Sequence, residues 1–305
     1  MEQNVMRLKA PMVSIGMPVY NGEKYIAEAL DSVLSQTYPN FELIISDNAS
    51  EDRTQEICLN YCRRDPRIKY VRQKRNHGGH WNFNYVTQNA KGQLVTWLAY
   101  DDILEPRFLE VSVAYMSLHN NTVLASGDFK IIDQSGAESG VENLEKIRRH
   151  INWNKRRVEF FKYPISNVYF CIYGMMKTEI CKSVLESVRE PKVAAGSELP
   201  ILARFAAAGE ISSIPIVLRK YRRHGASMYT NELAEIEKKS VLRRNWIRIK
   251  NLYRLRYDQM TVLFSSSLSV ESKFGVTIDV LLSYVRLFFL KTLRVPTKII
   301  RILGG

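Results

Sequence analysis

Residues 12–54, MVSIGMPVYNGEKYIAEALDSVLSQTYPNFELIISDNASEDRT, decide the fold. Met12 to Val19 is a short apolar run followed by Tyr20-Asn21-Gly22, and a run of that length closed by turn residues reads as a buried strand. Tyr25, Ile26, Ala29, Leu30, Val33 and Leu34 then recur at helical spacing, which puts one apolar stripe against a core. Tyr38-Pro39-Asn40 breaks that helix, Phe41 to Ser46 reads as a second buried strand, and Asp47-Asn48-Ala49-Ser50 offers turn and capping residues for a helix from about Arg53. The order is strand, helix, strand, helix.

Working outward, the alternation continues. Ile68 to Arg72 reads as a third strand, Arg75 to His80 as a loop, the stretch to Ala90 as a helix, and Gln93 to Ala99 as a fourth strand that ends at Tyr100-Asp101-Asp102. Apolar strands alternating with helices predict the α/β class, with a parallel sheet covered on both faces. Ligands of such sheets sit at the carboxyl ends of the strands, and each polar cluster named so far falls at one. Further along, Leu124 to Asp128 reads as a strand end and Asp133 to Lys162 as an excursion of loop and short helix. Ile211 to Leu218 reads as an apolar strand, and Glu232 to about Tyr257 and Val276 to Leu293 as helices.

The composition, 46% hydrophobic and 25% charged over 305 residues, is that of a globular chain. No apolar stretch reaches the roughly 18 residues that cross a bilayer, and the first residues lack the apolar run of a signal peptide, so a cytoplasmic location is expected. The four cysteines match no common zinc spacing and are expected reduced. Net charge is +13, with twelve Lys and Arg against three Glu between Arg219 and Arg256. Such an excess suits a nucleic acid, an anionic membrane surface or a phosphorylated substrate. A nucleic-acid-binding protein would account for the charge but not for Asp47, Asp101, Asp102 and Glu198, which would repel phosphates, so no nucleic-acid partner is expected.

Adjacent carboxylates at a strand end, Asp101 and Asp102, suit a hard divalent cation, Mg²⁺ or Mn²⁺, that also bridges substrate phosphates; the alternative is a solvated turn capping a helix. Asp47 would accept hydrogen bonds from a base or ribose. Asn76 and Gly78 open a loop that lets a flat ring or phosphates approach the backbone. Glu198 is either a first-turn acid favoured by the helix dipole or a general base for an acceptor hydroxyl. Tyr221-Arg222-Arg223-His224 is either a basic surface turn or a source of Arg and His for a diphosphate.

In chain order, residues 17–54, the Asn76-His77-Gly78-Gly79 loop, AYDDILEP, GSELPILARFAAAG and YRRHGAS resemble the large inverting glycosyltransferase family 2. The likeness runs over about residues 12 to 230. It implies a GT-A fold, a Rossmann-like nucleotide-binding sheet with helices on both faces, in a domain of residues 1–230 followed by a basic helical extension, 231–305. By the same likeness Pro18, Tyr20 and Glu23 would line a nucleotide pocket, Asp47 would contact the base, and Asn76 and Gly78 would continue that wall. Asp101 and Asp102 would hold ribose and metal, with His224 near the metal and diphosphate. Glu198 would be the base, and Arg222 would help neutralise the leaving diphosphate. The chain departs from the family pattern at Ala99, where an acid is usual, and at Ser197-Glu198, where Glu-Asp is usual.

The resemblance implies transfer of a sugar from a nucleotide-sugar donor to a hydroxyl acceptor with inversion. The acceptor would be a glycan or lipid-linked glycan of cell-surface polysaccharide synthesis. Alternatives are a polyprenyl-phosphate sugar synthase and a non-catalytic scaffold on the same fold. Val276 to Leu303 pairs an apolar set with Arg286, Lys291, Arg294, Lys298 and Arg301. It would either lie on the inner, anionic face of the plasma membrane or cover the core.

Overall fold

The computed structural model describes residues 11–144, 168–188, 198–224, 238 and 240, with only the backbone at 168, 169, 198 and 199. Apart from Lys238 and Ser240, the expected helices of the 231–305 extension lie outside the described residues. The opening units form as the periodicity requires: β1 (Val13–Val19), α1 (Ile26–Leu34), β2 (Phe41–Asp47), α2 (Thr54–Arg64), β3 (Ile68–Arg72), α3 (Gly79–Gln88) and β4 (Leu94–Trp97). Every residue of β1, β2 and β4 is buried, which is why these strands read as continuous apolar runs rather than alternating ones.

With β5 (Ile103–Leu104), β6 (Thr122–Ile132), β7 (Glu138–Glu142), β8 (Met175–Lys177) and β9 (Glu210–Arg222), the strands join one nine-stranded sheet in the order β3-β2-β1-β4-β8-β6-β9-β5, with β7 paired to β6. The β3-β2-β1-β4 half is parallel. Pairing of β1 with β4 stops at Gly16, so Pro18, which has no N–H to donate, follows the end of that ladder and breaks no bond in it. The sheet turns mixed beyond β4: β8 (Met175–Lys177) runs antiparallel to both β4 and β6.

Three sequence readings are corrected by long-range pairing. Leu124 to Asp128 is not a strand end but lies within β6 (Thr122–Ile132), held by β8 on one side and β9 on the other. The stretch after Asp133 begins as a hairpin rather than a loop, with β7 (Glu138–Glu142) folding back on β6 through Gly136 at φ 88°; the rest of the expected excursion, to Lys162, lies largely outside the described residues. The last strand, β9 (Glu210–Arg222), is longer than Ile211 to Leu218. It absorbs Tyr221 and Arg222, so these residues belong to a strand end and not to a surface turn. In each case ladder bonds to a neighbouring strand override a polar local sequence.

Helices cover both faces. Ile15, Leu43 and Leu98 pack with Ile26, Leu30 and Val33 of α1 and with Leu109 of α4 (Phe108–Leu118) on one side. Val95 and Trp97 pack with Val86 of α3, Cys181 of α5 (Thr178–Ser187) and Phe205 of α6 (Glu198–Ala208) on the other. Full burial of each such side chain contributes roughly 1.5–3 kcal/mol. All four cysteines are free, and Cys58, Cys171 and Cys181 are buried with their thiols pushed up by desolvation, as inert thiols should be.

Candidate active site

The carboxyl ends of β1 to β4 and of β9 build the site. The β1 loop and the β2 loop are laced together by five bonds. Asn21 N–H donates to Ser50 Oγ at 2.9 Å, and Glu51 N–H returns to Asn21 Oδ1 at 2.9 Å. Gly22 N–H donates to Thr54 Oγ1 at 2.7 Å, Glu23 N–H to Asp52 Oδ2 at 3.0 Å, and Arg53 N–H to Glu23 Oε2 at 3.0 Å. Residue 22 has to be glycine, because a Cβ there would stand 2.6 Å from Val19 and 3.0 Å from the Tyr100 ring. Tyr20, 40% exposed, remains free at the mouth.

Asp47 closes β2 and is fully buried. Its Oδ1 accepts Ser50 N–H at 2.8 Å and its Oδ2 accepts the Tyr70 hydroxyl at 2.6 Å, so the carboxylate shapes the turn and reaches a base only if Tyr70 yields. Asn48 beside it is the residue the sequence reading passed over as a turn former. Its Nδ2 donates to Asn76 Oδ1 at 2.7 Å and to the Gly78 carbonyl at 3.2 Å, and its Oδ1 accepts His77 N–H at 2.9 Å. Asn76 Oδ1 also accepts Gly78 N–H at 2.8 Å. One buried amide therefore sets the whole Asn76-His77-Gly78 wall. Gly78 takes φ 88°, a conformation that favours glycine, and space is open beside its Cα.

The two adjacent aspartates separate by environment. Asp102 is 1% exposed; its Oδ1 accepts Arg222 N–H at 3.0 Å, while its Oδ2 is buried without a hydrogen-bond partner. Burial, and secondly the Asp101 charge, push its pKa up to about 7. Asp101 turns the other way, with Oδ2 2.8 Å from His224 Nε2. Arg219, buried on β9, donates to the Trp97 carbonyl at 2.9 Å and lies over the Tyr173 ring. Arg222 is 2% exposed and bonded on several sides to protein. Glu28 of α1, which the sequence reading missed, pairs with that guanidinium; α1 reads by its apolar stripe, and of its two acids, Glu28 and Asp31, nothing local singles out Glu28.

The structure thus gathers Pro18, Tyr20, Glu23, Asp47, Asn76, Gly78, Asp101, Asp102, Arg222 and His224 on the elements that form one edge of the sheet. Glu198 opens α6, and its side chain lies outside what is described. The Asp101 carboxylate oxygen is a hard donor of the kind Mg²⁺ and Mn²⁺ take, while the imidazole nitrogen of His224 beside it is a donor for a transition ion rather than for Mg²⁺. Among the described residues no three His, Cys, Asp or Glu side chains converge as a complete cage. A divalent ion bound with phosphates takes one or two carboxylates and fills its shell with substrate oxygens and water, so Asp101 fits such an ion, and His224 beside it would favour Mn²⁺ over Mg²⁺.

The profile of glycosyl transferase family 2 matches residues 14–184, more than half of the chain. The chain belongs to glycosyl transferase family 2. The matched part of the family-2 domain holds every site residue up to Asp102 and ends before Glu198, Arg222 and His224. An uncharacterized glycosyltransferase of Rickettsia typhi is 33% identical over 166 residues, 54% of this chain and 48% of its own length. The chain thus spans about half the length of that relative. A Haemophilus influenzae protein, also described as an uncharacterized glycosyltransferase, is 26% identical over 75% of this chain and 72% of its own.

Among solved structures, S. aureus TarS 1–349 in complex with UDP-GlcNAc superposes with a TM-score of 0.66 at 18% identity, covering 88% of this chain and 71% of that one. The mannosyltransferase PcManGT of Pyrobaculum calidifontis, in complex with GDP-Man and Mn²⁺, gives 0.52 at 15% identity over 91% and 81%. At those identities the likeness is one of fold, the GT-A fold expected of a family-2 chain. No helix among the described residues is long and apolar enough to cross a membrane.

Proposed function

We propose that this chain is an inverting glycosyltransferase that moves a sugar from a nucleotide-sugar donor to a hydroxyl of a lipid-linked glycan in cell-surface polysaccharide synthesis. The observation that carries the reading is the meeting of Asp101 and His224, far apart in sequence, at the strand ends that also hold the Asn76–Gly78 wall and the β1 loop. A base would lie between Tyr20 and that wall, near Asp47, with Pro18 and Glu23 completing the pocket. Asp101 and His224 would hold a divalent cation, which supplies charge stabilisation for the leaving diphosphate. Asp102 would back Asp101 from within and complete the acidic end. Glu198 would take the acceptor proton as the hydroxyl attacks the anomeric carbon opposite the diphosphate.

The complexes of TarS with UDP-GlcNAc and of PcManGT with GDP-Man and Mn²⁺ support a nucleotide-sugar donor and a metal on this fold. Residues 1–230 would form the catalytic domain and 231–305 an extension that meets an anionic membrane at the cytoplasmic face. A panel of nucleotide sugars with Mn²⁺, read by release of nucleoside diphosphate, tests the donor; release from none of them overturns the reading. Co-sedimentation with anionic liposomes, comparing the full chain with one ending near Ser272 at low and high salt, tests the membrane. Equal sedimentation of the two would assign the extension to core packing.

A further inference from the structure

Arg222 stands at the point where four elements meet. Its Nε donates to the Asp101 carbonyl at 2.9 Å, its Nη1 to the Asp133 carbonyl at 3.1 Å, and its Nη2 to the Glu28 carboxylate. Its own N–H donates to Asp102 Oδ1 at 3.0 Å. The guanidinium lies 4.7 Å from the Tyr25 ring centroid, and that ring is 5.0 Å from the His224 imidazole. Side chain and backbone of one residue therefore grip both aspartates, while α1, through Tyr25 and Glu28, backs the guanidinium and the imidazole.

We infer that Arg222 is a positioning residue that fixes Asp101 and His224 for the cation, and that it does not itself meet the diphosphate. The inference rests on the proposed donor and cation site and deepens it. The side chain is 2% exposed and its fork is committed in three directions to protein oxygens, which leaves it turned away from the open end of the strands. Those divergent bonds need a planar guanidinium with several fixed donors, a geometry that an ammonium on a flexible stem does not reproduce. Glu28, on the outer side with its carboxylate 52% exposed, reaches the acids through Arg222. Arg223, the first residue past the end of β9, is exposed. Charge in this neighbourhood is thus separable from grip.

The test is Mn²⁺ binding to the full chain, read from the electron paramagnetic resonance of free Mn²⁺ with UDP and, separately, with GDP. Outer partners of a metal ligand typically change metal affinity by 10–100-fold, so Arg222→Lys is expected to weaken Mn²⁺ by about tenfold or more although it keeps the charge. Glu28→Ala, at a half-exposed position that the fold tolerates, is expected to reproduce much of that loss, and the two together less than the sum. Arg223→Gln should bind as wild type. Nucleotide affinity measured without metal should be unchanged in all of them.

Wild-type Mn²⁺ affinity in Arg222→Lys, or a loss of metal-free nucleotide binding there, would overturn the inference and leave Arg222 as a diphosphate ligand or a bystander. If Arg222→Lys does not fold, Glu28→Ala decides alone, and unchanged Mn²⁺ affinity in it overturns the inference. A wild-type chain that binds no Mn²⁺ with either nucleotide would instead bring down the cation site itself.

Discussion

His224 Nε2 lies 2.8 Å from Asp101 Oδ2 across 123 residues of sequence, while Asp102, the immediate neighbour of Asp101, points into the protein. The pair joins the β4 end to the β9 end, and in the proposed reading it sets which aspartate would face substrate. Asp101→Asn is expected to lower Mn²⁺-dependent turnover by about 10²-fold or more, a typical loss for removing transition-state charge stabilisation, with little change in melting temperature. Asp102→Ala should cost a similar factor but also stability, because it removes the acceptor of the buried Arg222 N–H and a carboxylate near buried Arg219; leaving a buried donor unsatisfied costs about 1–3 kcal/mol. Kinetics with and without EDTA alongside thermal unfolding check both, and Asp101→Asn with full metal-dependent activity refutes the assignment.

Asn48 is 2% exposed and bonds the loop at three points. Asn48→Ala removes all three bonds and leaves His77 N–H to find another acceptor. The expected result is a donor Kd about tenfold weaker, on the order of 1–2 kcal/mol for lost bonds of this kind, with the maximal rate at saturating donor much less affected. A lowered kcat with unchanged donor Kd would mean that the loop serves chemistry rather than binding.

The β1-to-β4 half was legible because burial on both faces forces apolar runs, and turn residues mark each carboxyl end. What the sequence did not disclose depends on contacts between distant segments. Nothing local distinguishes Asp101 from Asp102; their opposite environments are created by β9, which arrives more than a hundred residues later. Glu28 likewise gains its role only because α1 lies beside the end of β9. β6 and β9 read too short because Asp128, Lys220 and Arg222 look unlike strand residues until their ladders are formed. The resemblance of GSELPILARFAAAG to the family supplied Glu198, whose side chain lies outside the described residues.

Glu198 is tested by chemistry rather than geometry. A base on the acceptor side touches the reaction after the donor is seated, so Glu198→Gln should abolish transfer while nucleotide affinity stays within about twofold of wild type. Normal turnover in this variant removes it as the base.

The last prediction concerns pH and lies away from the reaction. Glu42, 5% exposed on β2, ties three strands and a loop: Oε1 accepts Ser14 Oγ–H at 2.7 Å and Lys91 N–H at 2.8 Å, and Oε2 accepts Lys69 Nζ at 2.5 Å. Burial pushes its carboxyl upward, but the bonds from Lys69, Ser14 and Lys91 outweigh it and hold the folded-state pKa below the ordinary value of 4.5. The folded protein therefore binds fewer protons here than the unfolded chain at acid pH. By linkage the group contributes stability that is fully present above about pH 4.5 and is lost as pH falls through the depressed folded value. Glu42→Gln should be less stable than wild type at pH 7, by about 1–3 kcal/mol for charge-assisted bonds made neutral. The gap between the two should narrow below pH 4.5 as the wild-type carboxyl takes up its proton. Urea unfolding of both proteins at several pH values measures it, and a gap that stays constant from pH 7 to below pH 4.5 would show that Glu42 does not act through its charge.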